Sequence, residues 1–168
     1  MKTIVYIVAG LLVSLLLGSF IVPTDLTTER VMYVEATPAE IYPHLVDLQK
    51  WDRWEPWDTD PVGAKTRGEG ARRGWPGGGV LVLDNAERDI RLQYIVEQRD
   101  PIESGNIELT PHRTKEGTVV VWTHFSETGY FPAARIAGWS QRATLALQID
   151  DALTQLKQTV EGPEKTGG

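Results

Sequence analysis

The chain of 168 residues contains no cysteine. That absence excludes disulfide staples, thiolate nucleophiles, Cys-ligated zinc and attachment through a lipid-modified cysteine. Histidine is scarce too: His44, His112 and His124 are the only three. They form no HExxH or other close pair, so a His-based metal centre would need distant partners. Long runs of Lys and Arg are missing, and the net charge is −6. A nucleic-acid partner, which requires a basic footprint, is not expected. Neither Gly68-Glu69-Gly70 nor Gly77-Gly78-Gly79 follows a strand with nucleotide-binding spacing; both read as turns. Ser140, in Gly138-Trp139-Ser140-Gln141-Arg142, lacks the nucleophile-elbow pattern.

What is present starts at the N-terminus. From Ile4 to Val22 the chain carries no charge. As a helix this run would reach roughly 28 Å, close to the hydrocarbon thickness of a bilayer. Pro23 would stop it, because proline supplies no N–H. Residues 1–23 are therefore expected to form a transmembrane anchor. Lys2 before the run, with Asp25 and Glu29 after it, places the N-terminus in the cytoplasm and the domain on the extracytoplasmic side. A cleaved signal peptide is the alternative, although Phe20-Ile21-Val22-Pro23 makes a poor cleavage sequence.

Residues 24–30 read as a polar linker, residues 31–161 as one domain, and residues 162–168 as a disordered tail. Val31–Ala36 is rich in β-branched and aromatic residues and reads as a strand. Thr37-Pro38-Ala39-Glu40 then carries an N-cap, a proline at the first helical position and a capping-box acid. The helix it opens puts Ile41, Leu45 and Leu48 on one face. Trp51, Trp54 and Trp57 recur every three residues, which aligns them on one side of a helical turn. The Gly-rich stretch 63–79 is loose. Strands follow at 80–86, at 89–98, at 106–114 and at 118–128, with a hairpin turn at Glu116-Gly117. In the second of these, Ile90, Leu92, Tyr94 and Val96 alternate with Arg91, Gln93 and Glu97. In the last, Val120, Trp122 and His124 share a face. Pro132 opens a helix to about Val160, with Trp139, Ala143, Ala146, Ile149, Leu153, Leu156 and Val160 as its apolar stripe. The expected class is α+β: a curved antiparallel sheet wrapped on a long C-terminal helix.

These elements, with Ala36-Thr37-Pro38-Ala39-Glu40-Ile41-Tyr42, Leu45-Val46-Asp47, the Trp51, Trp54, Pro56-Trp57 segment, Trp75 and Gly117–Trp122, resemble the START-like superfamily. The similarity is to its polyketide cyclase/dehydrase and lipid-transport (SRPBCC) group, in a membrane-anchored variant. It implies a helix-grip fold around a hydrophobic pocket, with a hydrophobic small molecule or lipid as partner and the membrane engaged by the N-terminal helix. It implies no shared catalytic set, since members of the group include carriers, cyclases and receptors; no cofactor and no metal are expected.

The candidate pocket residues are Tyr94, Val96, Leu109, Val120, Trp122, His124, Arg135 and Trp139. Trp122 and Tyr94 offer large apolar area with one polar handle each. His124 could serve as a general base, or be a structural or rim histidine, which is the commoner case. Arg135 could hold a ligand carboxylate or headgroup at the mouth. The tryptophans could equally be the core of a polar domain. Asp52, Glu55, Asp58 and Asp60 could ligate a hard cation, but solvated carboxylates explain them as well. The expected function is binding or carriage of an apolar molecule. An enzyme of the cyclase or hydrolase sort, or an interaction or stress-response module with a collapsed pocket, is the alternative.

Overall fold

A computed structural model describes residues 2–19, 24–57, 59–76, 78–97, 103–127 and 132–162. Helix α1 (Lys2–Ser19) precedes strand β1 (Asp25–Val34), helix α2 (Pro38–Leu45) and a 3₁₀ turn (Lys50–Arg53). Strands β2 (Arg72–Gly74), β3 (Val80–Glu87), β4 (Arg91–Glu97), β5 (Glu103–Pro111) and β6 (Thr118–Glu127) follow, and helix α3 (Pro132–Glu161) completes the order. The strands form one antiparallel sheet in the order β1-β6-β5-β4-β3-β2. This is the α+β arrangement expected from the sequence: a six-stranded antiparallel sheet with a long C-terminal helix.

The membrane-spanning expectation is corrected. Among the described residues no helix is long and apolar enough to cross a membrane. The charge-free part of α1 runs from residue 3 to residue 19. At 1.5 Å per residue it reaches about 26 Å, short of the ~30 Å hydrocarbon core. Phe20–Pro23, which completed the run in the sequence, lie outside the described residues. The single-pass anchor, and the extracytoplasmic placement that rested on it, are therefore withdrawn. Ile4, Tyr6, Ile7, Val8 and Val13 of α1 are exposed.

Most of the segment read as a linker belongs to β1, which pairs along its full length with β6, from Asp25 against Glu127 to Val34 against Thr118. Its polar residues hid the pattern: Leu26 and Thr28 turn inward and are buried, while Thr27 and Glu29 face out. Residues 163–168, expected as a tail, lie outside the described residues. α2 opens as the motif requires, with the Glu40 carboxylate accepting from the Thr37 N–H at 2.7 Å and from its hydroxyl at 2.8 Å. The helix ends at Leu45, with Pro43 inside its short length. At the β3–β4 turn Asp89 takes φ 59°, a left-handed conformation that aspartate tolerates better than most residues. Ile90 closes that turn and is exposed, so the inward face of β4 begins at Leu92 rather than at Ile90.

α3 engages the rest of the domain through its C-terminal half. Ala146, Ile149, Ala152, Leu153 and Leu156 are buried, whereas Ile136, Trp139, Ala143 and Leu147 are exposed. Arg30 of β1 reaches Asp150 at 2.9 Å, and the Glu35 N–H donates to Glu161 at 2.6 Å, fixing the helix along the β1 edge.

The Trp-rich segment is fastened to the opposite edge by one buried cation. Arg73 of β2 is 1% exposed. Its guanidinium meets Asp52 at 2.8 Å and Glu55 at 2.7 Å, and donates to the Thr59 hydroxyl at 3.0 Å and the Leu48 carbonyl at 2.9 Å. Two of the four acids noted in the sequence, Asp52 and Glu55, are thus engaged by this arginine; Asp58 lies outside the described residues. Burial pushes the Glu55 carboxyl up to about 7, against the opposing pull of Arg73 and the Thr59 hydrogen bond.

Mid-sheet, Tyr94 pairs across with Gly105, and Gly105 with His124. The Tyr94 ring lies over Gly105, where any Cβ would strike its Cζ and Oη. Glycine is required by this close crossing, and the aromatic ring covers the bare backbone it leaves.

Three outcomes follow. Arg73→Met strands the Glu55 carboxyl in the interior and should destabilise the fold by about 3–5 kcal/mol at pH 8, measured by urea unfolding. Glu55 is protonated more readily in the folded than in the unfolded chain. Its contribution is complete below its ordinary value of 4.5 and lost as pH rises through about 7. Wild type should therefore lose up to roughly 3 kcal/mol between pH 5 and pH 8 relative to Glu55→Gln; parallel profiles for the two proteins would refute the assignment. Gly105→Ala should cost about 1–3 kcal/mol by overpacking against Tyr94, read from the same unfolding curves.

Candidate functional site

Strand alternation on β4, β5 and β6 builds one inner face. Leu92, Tyr94 and Val96 of β4, Glu103, Gly105, Ile107 and Leu109 of β5, and Val120, Trp122 and His124 of β6 are all buried. Register then arranges them in rows. Leu109 sits beside Val120 at the end near the Glu116-Gly117 turn, Ile107 beside Trp122 at the centre, and Gly105 beside His124 towards the other end. Val96 pairs with Glu103 at that last end, where β4 hands over to β5 and β6 to α3.

The centre is aromatic. Trp122 makes edge contacts with Trp51 at 6.4 Å, Trp54 at 6.2 Å, Trp57 at 6.1 Å and Tyr94 at 6.4 Å. Trp51 and Trp54 spend their N–H groups on the carbonyls of Leu45 and His44. These indoles, on the 3₁₀ turn and just after it, are core, as one of the two sequence readings had them.

Towards the end bearing Val96 and Glu103 the face becomes polar while staying buried. The Trp122 Nε1–H donates to Tyr94 Oη at 3.0 Å, and Tyr94 Oη lies 2.9 Å from His124 Nδ1. An indole can only donate. The Tyr94 oxygen therefore accepts from Trp122 and shares a second hydrogen bond with His124 Nδ1. Nε2 lies 3.6 Å from Glu103 Oε2, the same oxygen that accepts from Trp75 Nε1 at 2.7 Å. The Trp75 ring stacks on the His124 imidazole with 5.6 Å between centroids and 13° between planes. Burial holds the Tyr94 phenol far above its ordinary value; the Trp122 hydrogen bond opposes this, and Glu103 adds to it. Tyr94 therefore stays a donor. Trp122, Tyr94, His124, Glu103 and Trp75 form one chain of polar contacts enclosed by aromatic rings, with a carboxylate at its end.

Of the residues singled out from the sequence, the structure brings together Tyr94, Val96 and His124 at this end, with Trp122 beneath them. Leu109 and Val120 lie at the opposite end of the face, in the core. Arg135 is half-buried near the start of α3. Trp139, expected to wall the pocket, is 61% exposed and is corrected: it belongs to the half of α3 that does not pack on the core. The sequence reading missed Glu103 and Gly105. It began β5 at Asn106, because Glu103-Ser104-Gly105 looks like a loop. Extending the alternation of Leu109 and Ile107 backwards by two and four residues would have placed both inside. His112 is structural, its Nδ1 accepting from the Thr114 and Lys115 N–H groups at 3.2 Å each. His44 is held below its ordinary value by burial and by Lys50 and Arg53. Among the described residues no group of His, Asp and Glu is arranged to hold a metal ion.

No protein-family model matches the chain, and no curated protein does. Solved structures do. A protein of Thermus thermophilus, TTHA0849, is 18% identical with a TM-score of 0.64, over 81% of this chain and 97% of that one. The Aha1 dimer of Colwellia psychrerythraea is 17% identical with a TM-score of 0.62, over 81% and 96%. CalU16 of Micromonospora echinospora is 16% identical with a TM-score of 0.58, over 83% and 86%. At such identities the similarity is one of fold, and the fold shared is the helix-grip arrangement that the START-like resemblance implies.

Proposed function

We propose that this domain binds a hydrophobic small molecule at the end of the inner face bearing Tyr94, Val96, Glu103 and His124, as a START-like carrier or receptor. One observation carries the reading: a carboxylate, an imidazole and a phenol are buried together among aromatic rings. Burying such groups opposes folding unless each is partnered, and an all-apolar interior would avoid that cost. A few convergent polar groups in an apolar lining are the usual composition of a small-molecule site. The half-engagement of α3 supports the same place, because among its described side chains the fully buried apolar ones begin at Ala146. The company of DynU16, a protein of the dynemicin biosynthetic locus with the same fold (TM-score 0.59, over 80% of this chain and 47% of that one), is compatible with a small organic ligand.

Binding is favoured over catalysis by the hydrogen-bond pattern itself. His124 was the best candidate for a general base. Its Nδ1 is engaged by Tyr94, and its ring, 1% exposed, is covered by the Trp75 indole, an arrangement that suits holding the imidazole in place. A second reading draws on the contacts between Trp122 and the indoles of Trp51, Trp54 and Trp57, which fill the centre: the domain would then be a non-catalytic interaction or stress-response module.

Titration with N-phenyl-1-naphthylamine separates the two. The carrier reading expects saturable one-to-one binding, with energy transfer from the indoles to the probe and affinity about fivefold weaker in Trp75→Leu. Absence of saturable binding, or binding that Trp75→Leu leaves unchanged, would overturn it.

A further inference from the structure

Resting on the binding site just described, we propose that the Trp57 indole is its hydrogen-bond donor. The N–H favours apolar ligands carrying an uncharged acceptor oxygen, a ketone, ester or ether, over plain hydrocarbons. Among the described residues five indoles are buried: Trp51, Trp54, Trp57, Trp75 and Trp122. Four of them give their N–H to an acceptor within the domain. Trp51 and Trp54 donate to the carbonyls of Leu45 and His44, Trp75 to Glu103 and Trp122 to Tyr94. Trp57 Nε1 meets no acceptor among the described residues, and it is closed to solvent. A buried donor without a partner opposes folding, and such groups are rare in native interiors. A single water would need two to four polar partners, whereas the ring neighbours of Trp57 are the indoles of Trp75 and Trp122.

The place of Trp57 ties this donor to the site. Its ring lies 4.8 Å from that of Trp75, at 62° between planes, and Trp75 stacks on His124. Trp57 and Trp75 are 7% and 5% exposed, whereas Trp51, Trp54 and Trp122 are at 0%. This pair is therefore where the indole cluster reaches the surface. Trp57 also follows the 3₁₀ turn, on backbone that belongs to no helix or strand. Turning its ring breaks no hydrogen bond, whereas turning any of the other four indoles breaks one. A ligand that parts Trp57 from Trp75 gains contact with both rings and offers its oxygen to the N–H. Indole donates and cannot accept, so a hydrocarbon leaves this group as it was. One neutral donor does not balance a charge taken out of water, so the favoured acceptor is uncharged.

Two probes of matched shape test the inference in the intact protein: 2-acetylnaphthalene and 2-isopropenylnaphthalene, which differ by C=O in place of C=CH₂. Binding is followed by quenching of tryptophan emission, and the assigned indole N–H resonances by NMR. The ketone should move the Trp57 indole proton further downfield than the olefin, whose ring current on it is the same. Trp57→Phe keeps an aromatic ring and removes the N–H. In that variant the ketone should weaken about fivefold more than the olefin. Equal movement with both probes, as when a bound water meets the N–H, would overturn the donor assignment and leave the binding site standing. Equal weakening of both in Trp57→Phe would do the same, since lost packing alone affects the two alike. Failure of both probes to bind would remove the site itself, and the assignment with it. The wild-type spectrum decides the matter even if Trp57→Phe does not fold.

Discussion

The indole of Trp122 joins the two halves of the interior. Its faces and edges meet Trp51, Trp54 and Trp57, which come from one short segment, and Tyr94, which comes from the neighbouring part of the sheet. Its single N–H is spent on Tyr94. The Tyr94 oxygen that accepts it lies 2.9 Å from His124 Nδ1, and His124 in turn lies beside Glu103. Packing and polarity are therefore not separate layers here. The ring that fills the core also orients the polar chain that leaves it, as expected where a low-dielectric surrounding makes each hydrogen bond count for more.

Two buried charges set the shape of the remainder. Arg73 fastens the Trp segment to the short strand β2 and is satisfied by side chains and a carbonyl from that same segment. Glu103 sits at the end of β5 and is satisfied in part by Trp75, just beyond β2. The edge of the sheet is thus tied to both the aromatic centre and the polar end. An apolar substitute for either charge could pack as well, but would not specify the same pairing of segment to strand.

α3 divides along its length for a related reason. From Ala146 onward its small and aliphatic residues lie on the sheet and against α2 and the 3₁₀ turn. Before that point Ile136, Trp139 and Leu147 remain exposed, as do Ile4, Tyr6, Ile7, Val8 and Val13 of α1. The apolar character of both stretches is plain in composition, but composition does not state which surface covers them.

The sequence by itself determined the periodic parts: the capped start of α2, the hairpin at Glu116-Gly117, the alternation of Leu92, Tyr94 and Val96 and of Val120, Trp122 and His124, and the burying stripe from Ala146 to Leu156. Each is a local pattern whose period is imposed by backbone geometry, so it can be read without knowing the partners. The resemblance to START-like proteins rested on these same elements and gave the right architecture. The start of β1 was not legible, because a strand edged with threonines and acids looks like a linker until its mate β6 is known. Nor was Glu103, two residues before Gly105, because a charged residue in Glu103-Ser104-Gly105 looks like a loop even though it continues the alternation of Ile107 and Leu109. Trp139 shared the helical period of the buried stripe and still faces out, since period fixes a side of the helix and not how far the contact with the sheet extends. Burial of polar groups and the extent of helix engagement both depend on which strands become neighbours, and that register is a property of the assembled sheet alone.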